Sequence, residues 1–292
     1  MSNKNFNLLT LDFLRYFQGV QSHSLFSEFV AVLSDIKPVL RTYAIRVDRY
    51  PLLKKICAKY NLKCEHSNFR VFDDTTISTD NSGHFYVYIS KEEQLAKEAK
   101  KVEEDIITRK KADYESHLKF SHLMGYPECC FNFFFNKVNL FPAESHMIEF
   151  EAYKNTKKFS FYLNNLIRGD HYLISHYPCT YNCRKSIQYA KSVLKSIEKI
   201  KPALAIEFKK LLKYPVVKFL KVGHYLRLIE GEIHDNTITY SDCWDTLSFD
   251  SKFKKGNKIE VHNSEIKIFR DSVLIDKYKK ENEFDGVVFP FR

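Results

Sequence analysis

Two short cysteine motifs hold the side chains best suited to chemistry: Gly125-Tyr126-Pro127-Glu128-Cys129-Cys130 and His176-Tyr177-Pro178-Cys179-Thr180-Tyr181-Asn182-Cys183. Each places an aromatic-proline step just before cysteine and runs on into a stretch with helical character. Proline suits the first helical position, where no amide hydrogen is needed, so both motifs are predicted to be turns that open helices. The cysteines then fall in or near a first helical turn, where the positive end of the helix dipole favours thiolate over thiol. Thiolates gathered this way bind metal or do redox chemistry.

The spacing constrains what they can hold. On a helix, Cys179 and Cys183 share one face, with β-carbons roughly 5–6 Å apart. Cys129 and Cys130 are adjacent and diverge by about 100° on a helix, so meeting on one small ion needs local distortion. An iron-sulfur cluster relaxes that demand and is favoured slightly over zinc, whose paired cysteines are more commonly two residues apart. The predicted metal ligands are therefore Cys129, Cys130, Cys179 and Cys183, with His122 or His176 able to replace a thiolate. His176 is read as a ligand, as a base that keeps Cys179 deprotonated, or as a buried histidine bonded to a carbonyl. Glu128 is a candidate proton carrier, or a first-turn carboxylate favoured by the helix dipole. Arg184 and Asn165 are expected to flank the same pocket, Arg184 stabilising thiolate or a bound anion unless it is solvated. A redox, sulfur-transfer or maturation step on a small-molecule or macromolecular substrate suits such a centre. Two alternatives stay open: a zinc-stabilised module that binds RNA or a protein, and a metal-free thiol enzyme with Cys179 as nucleophile and His176 as base. Cys57, Cys64 and Cys243 are isolated and read as core packing. Trp244, beside Cys243, reads as core or interface. Nucleotide-binding glycine loops and the GxSxG elbow do not occur, which weakens nucleotide-binding and hydrolase readings.

The elements that must position these motifs read as α+β. Helical periodicity covers Leu8 to Leu40, through Leu11, Leu14, Phe17, Phe26, Phe29, Val30 and Leu33. Thr42 to Val47 and Phe69 to Phe72 are short strand signals, Tyr50-Pro51 opens a helix through Lys59, and Asp73 to Gly83 is loop. His84 to Ile89 is a strand, and Ser90 with Glu93 has capping-box spacing for a charged helix over Lys91 to Lys119, its buried stripe through Leu95, Val102 and Ile106. Further helices are predicted over Ile148 to Ile167, Pro178 to Ile200 and Ala203 to Lys213, with Arg168-Gly169-Asp170 a turn. Past Tyr214-Pro215 the pattern alternates in Val216–Leu220, Tyr225–Glu232, Thr237–Tyr240, Lys258–Val261 and Glu265–Phe269, with His234-Asp235-Asn236 as a hairpin turn. The expected organisation is a small N-terminal α/β region (1–115), a helical region with both cysteine motifs (116–213) and a β-rich region (214–292).

The 292 residues suffice for a sizeable core, and 44% hydrophobic with 15% aromatic residues argues for a globular chain. The formal charge of +10 keeps RNA open as a partner, but the excess is mostly lysine spread along the chain and reads as solvated. Neither a secretory signal in Met1 to Leu8 nor an apolar run of the roughly 18–20 residues a span requires is visible, so no membrane association is expected. Seven cysteines, an odd number, do not form a secreted disulfide framework; a reducing cytoplasm is the expected setting.

The run Tyr86 to Ser90, then Leu123-Met124-Gly125-Tyr126-Pro127-Glu128-Cys129-Cys130-Phe131, then Leu173-Ile174-Ser175-His176-Tyr177-Pro178-Cys179 with Cys183, resembles an uncharacterised prokaryotic domain-of-unknown-function family. Its members carry a GYPxCC motif and, some fifty residues on, LISHxPCxxxC. The resemblance covers about Phe85 to Tyr240. It implies that both motifs belong to one site, and it carries no reaction with it.

Overall fold

A computed structural model describes residues 22–42, 44–71, 77–78, 84–108, 110, 113–138, 147–166, 171–219, 224–245 and 251–292. The predicted helical start through Leu11, Leu14 and Phe17, the turn at Arg168-Gly169-Asp170, and most of the Asp73–Gly83 loop lie outside these residues. The fold is mixed α+β, with antiparallel sheets and strands concentrated toward the C-terminal part. Among the described residues no helix is long and apolar enough to cross a membrane.

Helix α1 (Ser22–Leu33) buries Leu25, Phe26, Phe29 and Val30. Helix α2 (Tyr50–Lys59) has Pro51 in its first turn, as predicted. Strand Leu40–Arg41 pairs with Val87–Ser90, which also pairs with Lys63–His66; all four residues of the central strand are buried. The predicted His84–Ile89 strand breaks at Tyr86, so that His84–Phe85 joins a second sheet with Ile45–Arg46 and Arg70–Val71. One apolar run thus serves two small sheets.

The predicted Lys91–Lys119 helix is two helices, α3 (Glu93–Ile107) and α4 (Tyr114–Leu123). Asp113 starts the second, its carboxylate accepting the Ser116 N–H at 2.8 Å. The charged pattern runs on through this junction and masks it. Ser90 does not form the expected capping box. Its hydroxyl accepts the Glu92 N–H at 3.2 Å and donates to the Pro38 carbonyl at 2.8 Å, while Glu93 pairs with Lys97 one turn on. The buried stripe of α3 runs through Ala96, Ala99, Val102 and Glu103.

The end of α4 explains the first motif. Gly125 has φ +69°, its N–H donates to the His122 carbonyl at 2.9 Å, and the Tyr126 N–H donates to the Ser121 carbonyl at 3.0 Å. That pair of bonds closes a helix in a Schellman turn, which needs a left-handed residue at this point. Pro127 then accepts from the Cys130 and Phe131 N–H groups and opens α5 (Glu128–Val138). Glycine ends one helix and proline starts the next, two residues apart.

Helix α6 (Met147–Lys154) covers only the first part of the predicted Ile148–Ile167 helix, and Phe161–Leu163 is a single 3-10 turn. Helix α7 (Arg184–Ile200) and α8 (Pro202–Leu212) are divided at Pro202 as expected. Beyond them, Val216–Lys218, Tyr225–Ile229, Asp242–Asp245 and Val287–Phe289 form one antiparallel sheet. Glu232–His234, Thr237–Thr239, Lys258–Val261, Glu265–Arg270 and Val273–Lys279 form another, with the predicted hairpin turn at Asp235-Asn236. Strands Asp242–Asp245, Val273–Lys279 and Val287–Phe289 and a short helix, α9 (Ser251–Lys255), carry no strong alternation and escape sequence reading.

The largest apolar cluster joins α1, α2, α7 and α8 to Val216, Tyr225, Phe289 and Phe291. At its edge Lys218 and Glu149 form a buried ion pair, with the Tyr225 hydroxyl donating to the same carboxylate at 2.8 Å. The second cluster lies within the C-terminal sheets, and the third packs α3 and α4 on Tyr88.

Replacing Gly125 with alanine strains a left-handed position and pushes a β-carbon to 3.3 Å from Pro38. The expected cost is about 1–2 kcal/mol of stability, read as a lower midpoint in urea unfolding; an unchanged midpoint contradicts the role assigned to this turn.

Candidate metal centre

Cys129 and Cys130 occupy the second and third positions of α5, held there by the Gly125–Pro127 elbow. Cys183 is the residue at the N-terminal boundary of α7, its carbonyl already accepting the Ile187 N–H at 2.9 Å. Cys179 is not on a helix. The predicted helix from Pro178 starts six residues late, at Arg184, because Tyr181 is pulled elsewhere. Tyr181 is fully buried, with its ring against Phe159, Phe289 and Phe291. Its N–H donates to Thr156 Oγ1 at 2.8 Å and its carbonyl accepts the Ser160 N–H at 2.9 Å. With its backbone spent on the neighbouring segment, residues 179–183 form a turn rather than a helical ladder.

That turn brings the four sulfurs together. Cys129 and Cys183 Sγ are 3.7 Å apart, Cys130 and Cys183 Sγ 3.7 Å, and Cys129 and Cys130 Sγ 4.0 Å. All four, Cys179 included, lie within 4.8 Å of one another, Cys130 and Cys183 buried and the other two half-buried. Four thiolates about 2.3 Å from one tetrahedral ion stand about 3.8 Å from each other, so the donor set and spacing can hold a metal ion. The adjacent pair, which ideal helix geometry splays, meets here on one centre.

The electrostatics also suit a cation. The N-termini of α5 and α7 both point their positive dipole ends at the sulfurs. Hydrogen bonds from Cys130 and Cys179 hold the Cys183 thiol far below its ordinary pKa. The same bonds, to Cys179 and Cys183 and then burial, push Cys130 far up. Cys179 is pushed up to about 12: its bond with Cys130 works the other way and is outweighed by Cys183 and burial. One negative charge therefore settles on Cys183 while Cys130 and Cys179 resist ionisation. Four thiolates at this distance need a positive ion among them, and binding one releases protons.

The other predicted site residues surround the quartet without joining it. His176 is buried, with Nε2 2.8 Å from Ser186 Oγ, and Ser186 Oγ lies 3.2 Å from Cys130 Sγ. Burial, reinforced by the charge of Lys37, pushes His176 down to about 3, which keeps its ring neutral. Serine thus stands between the histidine and the nearest sulfur. Asn165 donates to the His176 carbonyl at 2.8 Å and so braces the motif backbone. Glu128 is exposed at the start of α5, and His122 is exposed at the end of α4; neither is among the clustered ligands. Arg184 is exposed at the start of α7, lining a shallow depression with Gln188 and Lys191.

Sequence reasoning missed Ser186, whose signal is its place three residues beyond Cys183, in the first turn of α7. It also missed a buried Lys37–Glu28 ion pair. Lys37 donates to Ser175 Oγ at 3.3 Å and lies 5.1 Å from the centre of the Tyr126 ring. No local pattern marks one lysine among many as buried. The quartet also borders a chamber of about 470 Å³, whose wall includes Cys130, His176 and Tyr126.

Comparison with protein-family models, with curated proteins and with solved structures finds no match for this chain. The functional reading therefore rests on the residues and their geometry.

Ser186→Ala leaves His176 Nε2 buried without its partner, at an expected cost of about 1–3 kcal/mol. Outer hydrogen bonds of this kind also tune metal ligands, so metal affinity should fall about 10–100-fold in a competition titration with a chromophoric chelator. An unchanged unfolding midpoint together with unchanged affinity contradicts the Ser186 bridge.

Proposed function

We propose that this protein binds one zinc ion through Cys129, Cys130, Cys179 and Cys183, and that the ion is structural, fixing the wall of a ligand-binding chamber. The observation that carries this reading is the separation of the sulfurs. Distances of 3.7, 3.7 and 4.0 Å match the edges of a tetrahedron built on bonds of about 2.3 Å. A four-iron cube sets a separate iron under each thiolate and needs the sulfurs spread beyond the 4.8 Å that encloses this quartet. The edge lengths therefore favour a single ion over the cluster.

Four protein thiolates fill a tetrahedral shell and leave no position for water or substrate, which is the pattern of a structural zinc site. Its ligands come from two segments about fifty residues apart, so the ion clamps the start of α5 to the turn before α7. The elevated pKa of Cys179 counts against a free thiol nucleophile at that position. In this reading the motif histidine orients and packs: Ser186, His176 and Asn165 form a chain from Cys130 to the loop that faces the chamber.

Elemental analysis of protein purified without air or added metal should find one zinc per chain and no visible absorption. Cys183→Ser should reduce the zinc below one-fifth of that level. A brown protein with iron and acid-labile sulfide would overturn the zinc assignment in favour of a cluster. Removing the ion with a strong chelator should lower the melting temperature by more than about 10 °C, because binding free energy at such sites is folding free energy. A metal-free protein that melts at the same temperature as the loaded one contradicts a structural role.

A further inference from the structure

The chamber beside the quartet has a chemistry of its own. Its volume of about 470 Å³ falls within the roughly 300–1,000 Å³ of small-molecule sites. Phe120, Tyr126, Phe131, Phe134 and Tyr177 supply aromatic faces to its lining. Phe134 on α5 and Tyr177 of the second motif stack with planes 10° apart and centres 5.5 Å apart. The two cysteine motifs thus build the chamber wall as well as the metal centre. Such a lining suits a flat unsaturated ligand, whose faces stack on rings.

The polar groups have a sign. The lining carboxylates already have partners: Glu28 is closed off by Lys37, and Glu103 accepts the Tyr88 hydroxyl at 2.6 Å and faces Arg41 at 3.4 Å. Donors are left over. Arg41 meets Glu103 through one nitrogen, its side chain is one-third exposed, and its guanidinium lies 4.2 Å above the Tyr86 ring, an arrangement that leaves further N–H groups for a ligand. Ser121, also in the lining, is 3% exposed, and its Oγ has no hydrogen-bond partner. A buried hydroxyl left this way carries a desolvation penalty that a ligand oxygen relieves. The Val39 N–H donates to the Leu123 carbonyl at 3.1 Å, so the end of α4 that carries Ser121 runs beside the strand that carries Arg41. A guanidinium and a hydroxyl on neighbouring elements are what an oxyanion requires.

We infer that the chamber binds a flat aromatic carboxylate of one or two rings, its rings against Phe131, Phe134 and Tyr126 and its carboxylate on Arg41 and Ser121. The inference rests on the proposal of a zinc-tied binding module, since Cys130 is both a ligand of the ion and part of the wall.

The test is isothermal titration calorimetry on the full, zinc-loaded chain with two probes, 2-naphthoate and its uncharged amide, 2-naphthamide. One naphthoate per chain is expected, with the amide at least about ten-fold weaker, the difference a charge-assisted bond makes. The double variant R41Q/E103Q removes the ion pair as a unit and should abolish the preference for the acid. Ser121→Ala, which takes away only a hydroxyl, should weaken naphthoate roughly three- to ten-fold. Ile106→Trp fills the chamber and should block both probes. Absence of naphthoate binding to folded wild-type protein overturns the inference, as does equal affinity for the amide or binding unaffected by Ile106→Trp. Zinc measured on the same samples separates the two proposals. One zinc per chain without naphthoate binding sinks the chamber alone, whereas selective naphthoate binding to protein without zinc sinks the metal assignment alone.

Discussion

Convergence of four sulfurs between two helix N-termini is the constraint on which the central part of this fold depends. Thiols crowded to within 4.8 Å gain little from each other, and charge settles on Cys183 while Cys130 and Cys179 resist ionisation. The surrounding structure holds them in place all the same. The Schellman turn at Gly125 and the helix start at Pro127 aim Cys129 and Cys130 inward. On the other side, Tyr181 is fastened under Phe289 and Phe291 while its backbone bonds to Thr156 and Ser160, which holds Cys179 and Cys183 in a turn. Each half is fixed by packing distant from the sulfurs, so the cysteine quartet is preorganised, and an ion held there would cost little further backbone freedom.

The same construction joins the centre to the chamber. Cys130 faces both, and Ser186 and His176 carry hydrogen bonds from its sulfur to the loop in which Ser175 meets Lys37 and Tyr126. Burial keeps the imidazole neutral, so this chain of contacts presents shape and hydrogen bonds rather than charge. The structural ion proposed for such a place would stiffen the wall that the proposed ring-stacking ligand contacts. The cysteine quartet and the chamber wall are two consequences of one elbow.

Much of the site was legible in the sequence, because proline and glycine punctuate it with rigid backbone rules. The GYP step announced a turn that opens a helix, and the helix starts there; the helix end that Gly125 closes was not read from it. The grouping of the four cysteines was legible from residue type and motif likeness. The position of Cys179 was not, because the burial of Tyr181 under Phe289 and Phe291 is a contact across more than a hundred residues that overrides local helical preference. Ser186 and Lys37 were hidden for a similar reason: a serine in a helix and a lysine before a proline look solvated until a partner distant in sequence arrives. In the fold, the alternating strands after Tyr214 were read well. The charged stretch from Lys91 was read as one helix, since a solvated pattern continues through a break that only the Asp113 cap reveals. Strand Val273–Lys279, largely exposed at a sheet edge, has no buried face to impose alternation.

X-ray absorption at the metal edge of the purified, native protein tests the central claim most directly. The account predicts a zinc edge and a single shell of four sulfurs at about 2.3 Å, with no heavier neighbour beyond it. A metal–metal scattering shell, or a first shell containing nitrogen or oxygen in place of one or more sulfurs, contradicts the four-cysteine, single-ion centre.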